Sequence, residues 1–315
     1  MPEISVIIPS YNRATLLGRA VASVQAQDFK DIEILIIDDG STDNTLEVVA
    51  GLQGNESRIR LVQHSKNRGE AAARNTGLRE ARGNFIAFLD SDDSWMEGKL
   101  HRQYAALKEA GADTAAVVTG YIAVSPDGTR NYVDGWHFYH EISVRNLLVR
   151  GCAIGLGGCM LIRRKAALAA GPFDENLPLY VDVDWFCRFL DKHRVISINE
   201  PYTVYYKASL RDGTFVETAA KIFVEKNAAL IERFPRSERR LIFAQLHENV
   251  AVSHKANGNR GGFRRALIRS LIANPKRRPG VYVELIESIL GLNLRQPILH
   301  ALGRKSDENS GDRMP

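Results

Sequence analysis

The stretch Ile32-Glu33-Ile34-Leu35-Ile36-Ile37-Asp38-Asp39-Gly40-Ser41-Thr42-Asp43 decides the fold. Its apolar run is far shorter than the roughly 18–20 residues a membrane span needs, and it has the length of one buried strand. It stops at two aspartates and a glycine, the composition of a turn just past a strand end. Three more runs share this character: Ile4-Ser5-Val6-Ile7-Ile8, Ile59-Arg60-Leu61-Val62 and Phe85-Ile86-Ala87-Phe88-Leu89. Between them, Leu16 to Ala26, Thr45 to Leu52 and Gly69 to Ala81 carry helical spacing or good helix formers. The βαβαβαβ order predicts an α/β fold, a doubly wound and mainly parallel sheet with helices on both faces. Sheets of this kind bind ligands beyond the carboxyl ends of their strands.

Past Trp95 the pattern loosens. A helix is expected over Lys99 to Ala110, a strand over Thr114 to Tyr121, and a turn at Ser125-Pro126-Asp127-Gly128. A second apolar run, Cys159-Met160-Leu161-Ile162, leads to a short helix near Ala166 to Ala170 that Gly171-Pro172 closes. From about Thr218 only helical patterns remain. The expected organisation is an α/β domain over 1–215, a helical C-terminal region over 216–305, and a polar, disordered tail over 306–315.

Composition narrows the class. With 44% hydrophobic and 25% charged residues over 315 positions, the chain buries a large core without staples, which excludes fibrous, disordered and disulfide-stapled classes. Its three cysteines form no CxxC pair and read as isolated packing thiols. His137 and His140 lack a second ligand pair and read as ordinary packing or surface residues, while Trp136, Phe138 and Tyr139 around them offer a weak sugar-stacking platform. The start, Met1-Pro2-Glu3-Ile4-Ser5, lacks the basic and apolar regions of a secretory signal, so a cytoplasmic location is expected.

The strand ends carry acids. The second strand ends in Asp38-Asp39 and the fourth in Asp90-Ser91-Asp92-Asp93. Two acidic clusters at one edge of a sheet repel each other unless a cation lies between them, and oxygen ligands suit Mg²⁺ or Mn²⁺ held jointly with nucleotide phosphates. The segment Lys66-Asn67-Arg68-Gly69 leads into a helix whose N-terminus is a ready anion site. Arg74 and Asn75, one to two turns along, are placed to reach a sheet edge or acids such as Asp90.

In order along the chain stand Ser5-Val6-Ile7-Ile8-Pro9-Ser10-Tyr11-Asn12, Asp38 to Asp43, Asn67-Arg68-Gly69 with Ala73-Arg74-Asn75 and Gly77, and Phe88-Leu89-Asp90-Ser91-Asp92-Asp93. This series closely resembles the inverting glycosyltransferases of family two. The resemblance is dense over residues 3 to 100. It returns in Gly157-Gly158-Cys159-Met160-Leu161-Ile162-Arg163-Arg164, Gly171-Pro172-Phe173-Asp174-Glu175 and Asp182-Val183-Asp184-Trp185. It implies a GT-A fold, with residues 1–100 as the nucleotide-sugar half and 101–215 as the acceptor half.

By the same resemblance the donor is a nucleotide-diphosphate sugar, with a UDP-sugar expected, and the cofactor is Mn²⁺ or Mg²⁺. Pro9, Tyr11, Asn12 and Arg13 line the donor pocket with Asn67, Gly69, Arg74, Asp90 and Ser91, and Asp39 contacts base or ribose. Asp92 holds the metal with Asp90 and Asp93. The general base falls on Asp182, with Asp184 as the alternative because Val181 replaces the family's usual Glu. After Tyr206 the family's mobile-loop histidine is missing, and Lys207 or Arg211 stands in as the cation for the diphosphate.

Two rival functions stay open. A sugar nucleotidyltransferase would carry a Gly-rich basic loop after strand one, where Ser10-Tyr11-Asn12-Arg13 stands instead. A non-catalytic nucleotide-sugar-binding module fits the altered Val181. Between Lys255 and Arg278 there are eight Lys or Arg and no acid, interleaved with Phe263, Leu267, Ile268, Leu271 and Ile272. That segment reads as a basic amphipathic helix, either packed on the protein or attracted to an anionic membrane surface. The acceptor is expected to be a saccharide or a lipid-linked one in surface polysaccharide or glycolipid assembly, and no nucleic acid partner is expected.

Overall fold

The computed structural model describes residues 1–133, 142–150, 156–207, 210–276 and 279–290. Contacts divide the chain into two compact units, Met1–Ser209 and Leu210–Pro315. The first unit runs β1 (Ile4–Ser10), α1 (Leu17–Gln25), β2 (Ile32–Asp38), α2 (Thr45–Asn55), β3 (Ile59–Gln63), α3 (Glu70–Glu80) and β4 (Phe85–Phe88). It continues with β5 (Ser94–Trp95), α4 (Lys99–Glu109), β6 (Thr114–Val124), β7 (Arg130–Val133), α5 (Val144–Arg150), α6 (Leu156–Cys159), β8 (Met160–Arg163), α7 (Arg164–Ala169), α8 (Val181–Leu190) and β9 (Arg194–Tyr206).

Its strands form one sheet in the order β3-β2-β1-β4-β8-β6-β9-β5, with β7 paired to β6. The β3-β2-β1-β4 ladders are parallel, as the alternation of strands and helices requires. Strands β1 and β2 are buried along their whole length, which is why they read as near-continuous apolar runs, broken only where Ser5 Oγ donates to Glu33 Oε1 at 2.6 Å and by the polar residues at their ends. At β8 the sheet turns antiparallel on both sides, and β6 and β9 then run parallel to each other. Strands β5, β7 and β9 do not stand out in the sequence. In β9, Pro201 and the charged Arg194 and Glu200 interrupt the apolar alternation, and register shifts near Gly120 absorb the irregularity.

One face of the sheet packs Val6, Ile8, Ile34 and Ile36 against Leu17, Val21 and Val24 of α1. On the other face α3 lies so close that a Cβ at Gly77 would sit 2.3 Å from Ile7. Helix α3 therefore needs small residues along its buried side, and Ala71, Ala72 and Ala73 supply them.

The second unit contains α9 (Gly213–Lys226), α10 (Ala228–Glu232), α11 (Arg236–Ala256), α12 (Arg260–Ala273) and α13 (Pro279–Leu290). Asp212 caps α9 by accepting from the amides of Thr214 and Phe215. The apolar set anticipated for one face of α12 divides between two. Phe263 and Leu267 are buried, whereas Ile268 and Ile272 are exposed, Ile272 by 73%, on a stripe shared with Arg265 and Arg269. The aromatic cluster 136–140, Arg277, Arg278 and the tail after 305 lie outside the described residues. No described helix is long and apolar enough to cross a membrane.

Candidate active site

Four acids on three elements face a common space beyond the strand ends. Asp90 follows β4, Asp92 and Asp93 lie in the turn before β5, and Asp182 stands in the first turn of α8. Tyr205 on β9 reports their convergence: burial first, and then the charges of Asp93, Asp90, Asp92 and Asp182, push its phenol up.

Asp90 is tightly fitted. Its backbone N–H donates to Gly157 O at 2.6 Å, and a Cβ on Gly157 would lie 1.8 Å from its Oδ2. Only glycine admits the carboxylate there. Arg74 Nη2 donates to Asp90 Oδ1 at 3.0 Å and also pairs with Glu70. Burial, with repulsion from Glu70 and Asp92, pushes Asp90 up to about 7 against the pull of Arg74. Arg74 is 4% exposed, so it is an interior cation with its Nε unpartnered.

Asp93 is buried and accepts from Tyr206 N at 3.0 Å, and burial together with Asp90 pushes it up to about 8. Asp92 is the accessible member, its side chain 30% exposed, with Arg13 Nη2 at 3.7 Å from Oδ2. Arg19, lying over the Tyr206 ring, donates to the Asp92 carbonyl. Ser91 is buried between these acids.

The donor set suits a hard divalent cation: it is all oxygen, and Asp90 and Asp93 are carboxyls that burial first, and neighbouring acids second, push upward. Among the described residues no three His, Cys, Asp or Glu groups form a ready cage. A site built from one or two carboxylates and a diphosphate does not require one.

Asp182 and Asp184 differ sharply. Asp184 is 1% exposed and pairs with Arg188 at 3.1 Å, an i,i+4 contact that locks the last turns of α8. Asp182 is half-buried, accepts from Val183 N at 2.8 Å, and is pushed up by burial while Arg74 pulls it down.

The second-strand acid has an unexpected role. Asp39 accepts from Arg68 N at 3.0 Å and Gly69 N at 2.7 Å, and His64 Nδ1 lies 2.6 Å from its Oδ1. The anion seat before α3 is thus taken by the chain's own carboxylate. Gly40, at φ +74°, lets the Lys66–Asn67 backbone approach to where a Cβ would meet it at 2.5 Å. His64 also reaches Thr76 Oγ1 at 2.9 Å, and no motif in the sequence singled it out.

The remaining predicted residues are distributed as follows. Pro9 is buried in β1 and Tyr11 is exposed just beyond it. Asn12, at φ 51°, accepts through Oδ1 from Thr42 N at 2.8 Å, so it ties the turn after β1 to the loop after β2. Asn67 is exposed in its loop. Asn75 does not reach Asp90; it binds Phe173 and Glu175 instead. Lys207 Nζ donates to Ser125 Oγ at 3.2 Å. Arg211 belongs to the second unit, where its guanidinium lies over Phe215 at 5.5 Å.

Several known proteins are similar to this chain. The chain is 39% identical over 129 residues to GalNAc(5)-diNAcBac-PP-undecaprenol beta-1,3-glucosyltransferase of Campylobacter jejuni, a match covering 41% of this chain and 40% of that one. It is 43% identical over 178 residues to UDP-Glc:alpha-D-GlcNAc-diphosphoundecaprenol beta-1,3-glucosyltransferase WfgD of Escherichia coli, covering 56% and 67%. The matched part is less than half of the Campylobacter protein's length. Among solved structures, TarS 1-349 of S. aureus with UDP-GlcNAc superposes at TM-score 0.58 and 18% identity, covering 88% of this chain and 93% of that one. Mannosyltransferase PcManGT from Pyrobaculum calidifontis, in complex with GDP-Man and Mn2+, gives 0.57 at 18%, covering 96% and 83%. The fold is of the GT-A type. The model of glycosyl transferase family 2 matches residues 5–169, just over half of the chain, and the chain belongs to that family.

Proposed function

We propose that this glycosyltransferase moves a sugar from a nucleotide-diphosphate donor, a UDP-sugar in the first instance, to an acceptor hydroxyl with inversion. The observation that carries the reading is the convergence of Asp90, Asp92, Asp93 and Asp182 on one space, with Arg74 between donor-side and base-side acids. Asp182 takes the acceptor proton, the freed oxygen bonds to the anomeric carbon, and the bond to the diphosphate breaks with its electron pair leaving on the nucleoside diphosphate. A single displacement of this kind inverts the anomeric centre.

Asp92, with Asp90 and Asp93 behind it, is the place for a divalent cation, and Mn²⁺ or Mg²⁺ bound there would offset charge on the departing diphosphate. Arg13 is the residue to exchange Asp92 for the phosphates. Tyr11 and Asn67 flank the nucleoside pocket, and Asp39 keeps a free lone pair for base or ribose while it holds the Arg68–Gly69 turn. Lys207, just past the end of β9 and in the same unit as the acids, serves the diphosphate as a loop cation.

Two relatives whose names describe diphosphoundecaprenol-linked sugars support a lipid-linked acceptor. A lipid-linked saccharide acceptor fits the exposed Arg265, Ile268, Arg269 and Ile272 stripe of α12, a surface suited to anionic headgroups and peripheral membrane association.

Nucleoside diphosphate release from UDP-, GDP- and dTDP-sugars, with Mn²⁺ or Mg²⁺ and then with chelator, tests the reading. Metal-dependent release lost in Asp92→Ala and Asp182→Asn is expected. Failure to bind any donor overturns the transferase assignment, and binding without turnover by the wild type favours the non-catalytic module.

A further inference from the structure

The segment before α8 and the helix itself form one body. Arg188 donates to Ala170 O at 2.6 Å and Pro172 O at 2.8 Å, and Trp185 Nε1 donates to Gly171 O at 2.9 Å. The Phe173 ring stacks on Trp185 with centroids 5.0 Å apart and planes 20° from parallel. Asp182 therefore goes where residues 170–175 go.

This body meets the donor side through Phe173, whose ring stands edge-on to Phe88 of β4 with centroids 5.7 Å apart, and through a short polar bridge. Asn75 on α3 accepts from Phe173 N at 2.7 Å and donates to Phe173 O at 2.9 Å and Glu175 Oε1 at 3.0 Å. Its amide is buried, so these bonds have no water to replace them. Arg68 Nη2 donates to the other Glu175 oxygen, Oε2, at 3.2 Å. Arg68 belongs to the turn whose amides Asp39 holds. One carboxylate thus joins the turn at the nucleoside side to the body carrying Asp182, across 107 positions of sequence.

Exposed pairs of this kind add little to stability, and the two side chains here are 43% and 39% exposed. Their effect lies in geometry, since a displacement of about 1 Å at a reacting group costs about 10²-fold in rate. We propose that Glu175 is a positioning residue for glycosyl transfer, holding Asp182 in register with the donor-side turn. This rests on Asp182 being the base.

The test compares the wild type with Glu175→Ala, Glu175→Gln and Arg68→Ala, using UDP-glucose and GlcNAc-diphosphoundecaprenol, then the remaining donor panel. Donor Kd by calorimetry, kcat, KM and the melting midpoint are read for each. In Glu175→Ala, kcat is expected to fall about 10- to 100-fold. Donor Kd should stay within about twofold and the midpoint within about 2 °C. Glu175→Gln keeps the Asn75 contact but turns an amide N–H toward Arg68, so Glu175→Gln and Arg68→Ala should show similar losses, each smaller than that of Glu175→Ala. Unchanged kcat, a donor Kd weakened by the same factor, or loss in step with the melting midpoint overturns the proposal while leaving the transfer reading intact. A wild type that neither binds nor turns over any donor removes the transfer reading, and the positioning role with it.

Discussion

Asp182 and Asp184 stand two positions apart on one helix, and their surroundings give them different tasks. Asp182→Asn should lower kcat by about 10²- to 10⁴-fold with donor affinity retained, measured by single-turnover kinetics beside calorimetry. Asp184→Asn leaves Arg188 facing a weakened buried partner and should instead cost about 1–3 kcal/mol in urea unfolding. Because burial holds Asp182 above the usual carboxylate range, the acid limb of kcat/KM should lie above that range too, the base working only when ionised. Removing Arg74's pull, as in Arg74→Met, should move that limb to still higher pH. A Cβ at Gly157 collides with Asp90, so Gly157→Ala should weaken donor binding about tenfold or more. The place of Asp90, Asp92 and Asp93 beyond β4 was legible in the sequence from the strand pattern, whereas Asp182 was singled out only by the family resemblance. The contacts of His64, Gly157 and Glu175 were not legible, although the last two stand in the stretches that carry the resemblance, because each acts through a neighbour distant in the chain.

At the scale of elements, β1, β2 and β4 were legible because burial on both faces leaves near-continuous apolar runs, and the half-buried β3 by its short β-branched stretch. Strand β9 was not, since its outward positions are polar and Pro201 breaks its rhythm. Helix α4 hides another feature. Lys99 is fully buried, donating to Gln103 Oε1 at 2.7 Å with the Trp95 ring 4.0 Å away, and burial pushes its ammonium down to about 7 from 10.5. Between these pH values the unfolded chain binds the proton and the folded one does not, so stability rises as pH rises from about 7 to 10.5. Lys99→Met should remove that slope and raise stability at neutral pH by roughly 2 kcal/mol, read by calorimetry across pH.

At the scale of the whole molecule, the basic C-terminal segment was legible as charge, but its apolar residues divide between core and surface. If the exposed stripe meets lipid, the protein should co-sediment with phosphatidylglycerol vesicles, less so at 0.5 M salt, the Debye length being only ~10 Å at 0.1 M. Ile272→Glu should reduce sedimentation several-fold while leaving melting unchanged, and equal sedimentation with neutral vesicles would argue against the surface. The sheet order carries a consequence for synthesis. Strands β1 to β4 emerge from the ribosome early, yet β4 finds its second neighbour only in β8, and Asp90 finds Gly157 just before it. For the time taken to make some seventy residues, several seconds at ordinary elongation rates, the nascent sheet carries an open edge beside an unfinished acid cluster. Holdase binding to stalled chains should therefore peak between the emergence of β4 and that of β8.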